Sequence, residues 1–281
     1  MELAVHLPLM ELGGEGLSRK RLVRTVDAAR ECGFAAVSAN DHFLFQAPWL
    51  DGPTALAAVI ERSGTMQLAT TVSLVSLRGP VPLAKTLVAL DLLSEGRLIA
   101  GVGPGSSARD YEALGVPFED RWKRFDEAVA ALRALLLDEP PPLLPARRGI
   151  PLWIGSWGSE AGLRRVTRLG DGWFASAYNT SPAAFAAARE ALPAGFPNAL
   201  VTMWTWITED SRDADRMLRD VLAPLLKRDP DVLRDQVCIG PASRCAELLS
   251  RYADAGCERV HLWPLGDEPR QIERAARLLD A

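Results

Sequence analysis

Apolar residues fall in short runs, and each run is followed by a stretch with helical period. LAVHLPL (3–9), AAVSAN (35–40), MQLATTVSL (66–74), RLIAGVG (97–103), PLWIG (151–155), GWFASAY (172–178), ALVTMWTWIT (199–208) and RVHLWPL (259–265) read as strands. Between them, SRKRLVRTVDAARECG (18–33) places Leu22, Val23, Val26 and Ala29 on one helical face and stops at Gly33. PVPLAKTLVALDLLSEG (80–96) opens on prolines and closes on Gly96, and 120–136, 159–170, 181–192, 211–226 and 242–255 behave alike. Eight strand–helix units in 281 residues predict a (β/α)8 TIM barrel, one α/β domain over 1–281. A doubly wound sheet is the alternative, since alternation does not give strand order. No linker divides the chain, and the Pro-rich DEPPPLLPARRG (138–149) is too short a connection to separate domains.

A parallel barrel carries its active site where the strands end, which reduces the chain to eight short loops. Strand 2 ends in Asn40-Asp41-His42-Phe43, and strand 4 runs into a glycine loop, GVGPGSSARDY, with Ser106, Ser107, Asp110 and Tyr111. Strand 5 ends in Gly155-Ser156-Trp157-Gly158-Ser159, and strand 6 in Tyr178-Asn179-Thr180. Strands 7 and 8 bring Trp204, Trp206 and Trp263. Each loop also has a plain structural reading: Asp41-His42 as a cap, the glycine loops as turns, the tryptophans as core. Two neighbouring small-residue loops at one mouth nevertheless favour a phosphate seat, where backbone N–H groups and serine hydroxyls approach an anion. His6 and His261 lie inside apolar strands, as barrel lining or as buried, hydrogen-bonded rings.

The charge balance narrows the partners. With 32 basic and 36 acidic residues the chain carries a net charge of −4, which argues against nucleic acid. Cys32, Cys238, Cys245 and Cys257 are isolated, without metal spacing, and read as reduced buried thiols. The chain opens on a strand with no basic region and long apolar run behind it, so we expect a cytoplasmic protein without a membrane segment.

NDHF (40–43), LRGPVPLAKTLVALDLLSEGRLIAGVGPG (77–105), DYEALGVPFEDRWKRFDEAVAALRALL (110–136) and LWIGSWGSEAGLRRVTRLGDGWFASAYN (152–179) together resemble the bacterial luciferase-like monooxygenase family. The resemblance extends over nearly the whole chain and implies a barrel that binds FMN or the deazaflavin coenzyme F420. It implies a cofactor lying across the strand ends, its phosphate held after strands 4 and 5. Cofactor contacts are then expected at Asn40, Asp41, Thr71, Val72, Gly103, Pro104, Gly105, Ser106, Gly155, Ser156 and Trp157. Asp41 and His42 match positions that touch the cofactor ring and donate a proton, which makes them the expected catalytic pair. Thr71-Val72 falls where the family often has a non-proline cis peptide. A substrate pocket is expected from His6, Leu74, Tyr178, Trp206 and Trp263.

The resemblance further implies a homodimer, packed through 52–63 and 80–94, and, for a flavin, a separate reductase as partner. Two departures stand out. Ser106 replaces a glutamate of the sugar-phosphate dehydrogenase branch, which argues against that substrate, and DEPPPLLPARRG replaces a lid segment, which suggests a more open pocket. The expected chemistry is hydride transfer or oxygen insertion on a small organic substrate, with no metal. The rival readings are a catalytically silent flavin-binding barrel and a non-redox barrel enzyme acting on a phosphorylated metabolite.

Overall fold

A computed structural model describes residues 1–12, 15–137 and 149–278. The Pro-rich segment, on which the open-pocket expectation rested, lies outside the described residues except for Gly149. The strands are β1 (Glu2–His6), β2 (Ala36–Ala39), β3 (Gln67–Thr70), β4 (Ser73–Leu74), β5 (Leu98–Gly103), β6 (Leu152–Gly155), β7 (Gly172–Ser176), β8 (Asn198–Ile207), β9 (Cys238–Gly240) and β10 (Arg259–Pro264). They pair in parallel in the order β10-β1-β2-β3-β5-β6-β7-β8, and β8 pairs back to β10. The ring therefore closes on eight strands, which rules out the open doubly wound sheet. β4 lies beside β5 and β9 beside β8, outside that ring.

Two strand expectations need correction. The run 66–74 is not one strand. A cis peptide at Thr71–Val72 breaks it, so that Thr70 pairs with Ala39 of β2 while Ser73 and Leu74 cross to Val102 and Gly103 of β5. β9 was not foreseen, because three residues are too few to show a period. The segment 211–226 is also less regular than expected: Ser211–Arg216 passes through one wide π-type stretch, Met217–Leu222, into Ala223–Leu226.

The apolar surface divides into two layers. Between strands and helices lies the main core, including Leu87, Val129 and Phe185, all fully buried. Inside the ring, Ala69, Ile99, Phe174, Ala199 and Val201 form a second cluster with Val72 and Trp153 against it. Gly101 shows how tight this interior is: a Cβ there would lie 2.0 Å from the Thr70 carbonyl oxygen and 2.6 Å from the Phe174 ring. Phe174 thus plugs the barrel below its C-terminal mouth, and the open space begins above it.

Candidate active site

Two cavities open at that mouth. The first, of about 360 Å³, brings together Asn40, Asp41, His42, Thr71, Val72, Leu74, Gly103, Pro104, Gly105, Ser106, Gly155, Ser156, Trp157 and Tyr178. The second, of about 370 Å³, contains Trp263 and shares Asn40, His42, Ser106, Tyr178 and Thr202 with the first. Two expected pocket residues line neither. His6 is fully buried beneath the mouth, its ring stacked on Trp263 at 3.6 Å. Its Nδ1 lies 2.7 Å from the Leu7 carbonyl oxygen and its Nε2 accepts the Asn40 N–H at 3.1 Å. Desolvation lowers its pKa to about 3, so it is a neutral structural ring. Trp206 donates its indole N–H to Asp213 at 2.7 Å, and that bond holds it away from the mouth toward the helix Ser211–Arg216.

Asp41 and His42 leave β2 together and are gripped by different partners. Asp41 receives both Arg78 nitrogens, at 2.6 and 2.7 Å, and the Leu74 N–H at 3.2 Å. Arg78 also pairs with Asp51. With both oxygens occupied and its side chain 1% exposed, Asp41 anchors the Leu74–Arg78 segment to the strand-2 loop while it lines the first cavity. His42 sits with Nδ1 2.7 Å from Asp110, which also accepts the Phe43 and Leu44 N–H groups at 2.9 and 2.7 Å. Burial alone would raise the Asp110 carboxyl; the bonds from His42, Leu44 and Phe43 outweigh it and hold it below the usual carboxylate value. An ionised carboxylate only accepts, so His42 donates a proton from Nδ1 to Asp110, and Nε2 is the ring nitrogen left free of that bond.

Part of the first cavity gathers serine, glycine and arginine residues. The helix Glu160–Leu169 starts there, capped by Ser159, and Ser156, Ser159, Gly162 and Arg165 line the wall. Gly162 is required by this crowding, because a Cβ would meet the Ser156 hydroxyl at 2.3 Å. Arg121 and Arg165 approach from above with Trp122; the Arg165 guanidinium lies 4.6 Å from that ring and also bonds Asp126. Gly103 and Gly155 have a second duty, since a Cβ on either would press Val72 at 2.5 and 3.0 Å. Gly105 has φ +80°, a conformation that favours glycine.

Sequence reasoning missed Arg78, Phe118, Arg121, Trp122 and Arg165 as site residues, and it noted Asp110 without a role. The two residues that grip Asp41 and His42 lie 37 and 68 positions away from them, and no local pattern connects them. The RWKR run (121–124) was a weak signal, because helical charge normally means a solvated face.

Residues 3–203 match the sequence profile described as luciferase-like monooxygenase. An uncharacterised protein of Mycobacterium tuberculosis is 32% identical over 143 residues, 45% of this chain and 48% of that one. An F420-dependent glucose-6-phosphate dehydrogenase of Amycolatopsis mediterranei is 33% identical over 132 residues, 43% of this chain and 39% of that one. The matched region thus spans about half the length of such curated relatives or less. Among solved structures, an F420-dependent secondary alcohol dehydrogenase in complex with an F420-acetone adduct superposes with a TM-score of 0.83 at 17% identity, over 99% of this chain and 97% of that one. That likeness is one of fold. The profile covers well over half of the sequence, and the chain belongs to the luciferase-like monooxygenase family.

Proposed function

We propose that this protein is an oxidoreductase using coenzyme F420 or FMN, acting on a small organic substrate by hydride transfer or oxygen insertion, with His42 as its proton-handling group. The observation that carries this reading is the imidazole held in one tautomer by buried Asp110 on the wall common to two cavities. The bound cofactor would supply the redox chemistry, accepting or delivering hydride or, for the flavin, reacting with oxygen. The residues present fit such a group. Asn40 Oδ1 and Thr71 Oγ1 are buried at the first cavity with no hydrogen-bond partner among the described residues. The loops Gly103–Ser106 and Gly155–Ser159, with Arg165, suit a phosphate at the other end. Val72, seated against Gly103 and Gly155, presents an apolar surface on which a flat ring can rest.

His42 holds or donates a proton at Nε2, Asp110 fixes its orientation, and Asp41 with Arg78 fixes the loop that carries it. Leu74, Trp263 and Tyr178 keep water from the space around them. A separate reductase as electron donor in the flavin case, a homodimeric assembly and a cytoplasmic setting are part of the same reading. Titrating the purified protein with F420 and with FMN, followed by absorbance and fluorescence, tests it. Saturable binding of one, weakened about tenfold or more by Arg165→Gln, supports the reading; a folded protein that binds neither would falsify it.

A further inference from the structure

The second cavity differs from the first in what its walls are made of. Phe45, Trp49, Trp204 and Trp263 form a continuous aromatic lining: Trp204 stacks on Trp263 at 4.1 Å, and Trp49 meets Phe45 and Trp263 edge-on at 4.9 and 5.6 Å. No Asp or Glu lines it among the described residues, whereas Arg109 and Lys227 do. Both cations are exposed, and neither has an ion-pair partner among the described residues, in a chain whose net charge is −4. They come from separate elements, Arg109 from the helix Ala108–Ala113 and Lys227 from the residue following Ala223–Leu226. The indole N–H groups of Trp49 and Trp204 are buried and lack a hydrogen-bond partner among the described residues. A buried donor is costly to leave unpaired, and an oxygen on an entering ring would satisfy it.

We propose that this second cavity is the substrate site and that it takes a flat, oxygenated ring compound bearing an acidic group. The assignment rests on the reading that the cofactor occupies the first cavity. With both faces of Trp263 covered by His6 and Trp204, the ring packs against Phe45 and Trp49, and the carboxylate or phenolate meets Arg109 and Lys227 at the rim. The reacting atom faces His42, which both cavities share. Size sets an upper bound. A cavity of about 150 Å³ accepts one benzene ring, so 370 Å³ accommodates about two fused rings with substituents. A long flexible acid would fill the same volume but would gain no stacking, and it would lose more rotational freedom on binding. The Gln46 side-chain amide donates from Nε2 to the Leu225 carbonyl at 3.1 Å and ties the strand-2 loop to the Ala223–Leu226 segment beside this cavity.

The test uses calorimetric titration of the cofactor-free protein with 2-naphthoate, 2-naphthamide and octanoate. We expect naphthoate to bind about tenfold or more tightly than either of the others. Arg109→Gln/Lys227→Gln, two exposed positions whose replacement leaves the fold intact, should bring naphthoate down to the naphthamide level without changing naphthamide. Phe45→Ala should weaken both ring compounds. Equal affinity for naphthoate and naphthamide, an octanoate affinity matching naphthoate, or an unchanged double variant overturns the assignment. Titration with FMN and F420 reads the first cavity separately. Cofactor binding without a naphthoate preference overturns the substrate class alone, and a naphthoate preference without cofactor binding overturns the cofactor reading alone.

Discussion

His42 owes its tautomer to Asp110, and that dependence divides two otherwise similar substitutions. His42→Ala removes the proton-handling nitrogen and should lower the single-turnover rate at saturating substrate by about two to four powers of ten, with cofactor affinity retained. Asp110→Asn keeps an oxygen for the Phe43 and Leu44 N–H groups but offers Nδ1 an amide that can donate instead of accept. The rate should then fall by about one to three powers of ten, because the wrong tautomer is stabilised. A normal rate in both variants would reduce His42 to a pocket residue. At the residue scale the sequence revealed the histidine but not its partner, since spacing along the chain carries no sign of a contact 68 residues away. His261 yields a separate expectation. It is fully buried, both ring nitrogens lack partners among the described residues, and desolvation holds its pKa well below the ordinary value. The native ring stays neutral while the unfolded ring takes up a proton below pH ~6.5. Stability is therefore lost as pH falls from about 6.5, by about 1.4 kcal/mol per pH unit for this group. His261→Phe should reduce the slope of unfolding free energy between pH 6 and 4 by about one proton, measured by urea denaturation; an unchanged slope would contradict the buried neutral ring.

At the scale of elements, Arg78 joins three pieces of chain: its own short helix Val75–Arg78, the strand-2 loop through Asp41, and the start of the helix Gly52–Ala57 through Asp51. Arg78→Ala leaves the Asp41 carboxylate buried with one weak backbone partner, and should destabilise the fold by about 2–4 kcal/mol. Replacing both residues, Asp41→Asn with Arg78→Gln, should recover much of that loss; thermal unfolding of the set decides, and equal destabilisation by both sets would show that the ion pair is not the cause. The helices were legible wherever a cap and a stop flanked an amphipathic run, as with Ser159 before Glu160–Leu169 and Gly170 after it. The interruption at Thr71–Val72 was not legible from alternation, because MQLATTVSL stays rich in strand-forming Thr and Val across the break; only the family resemblance pointed there. Trp206 failed for a related reason. A spacing of two puts it on the Trp204 side of the strand, but spacing does not show that its indole is taken up by Asp213 on the following helix while Trp204 packs on Trp263.

For the whole molecule, the count of strand–helix units was enough to predict the barrel, because each unit repeats the same polar and apolar signature. Closure itself was an inference, and it is visible only in the pairing of β10 with both β1 and β8. The homodimer belongs to the proposed reading. On the helix Pro80–Leu93, Val81, Leu92 and Leu93 are 61, 46 and 63% exposed, an apolar surface suited to a second copy. Sedimentation at micromolar concentration should give about twice the 30.5 kDa chain mass, and Leu93→Glu should shift it toward the monomer; a wild-type monomer sinks the dimer. The closing seam also bears on how the chain is made. Glu2–His6 pairs on one side with Arg259–Pro264, so that edge stays without its strand partner until residues 259–264 have been made. A ribosome-bound chain must therefore carry an open, apolar strand edge for more than 250 residues of synthesis, which makes release or truncation before residue 259 a route to aggregation rather than to a smaller folded protein.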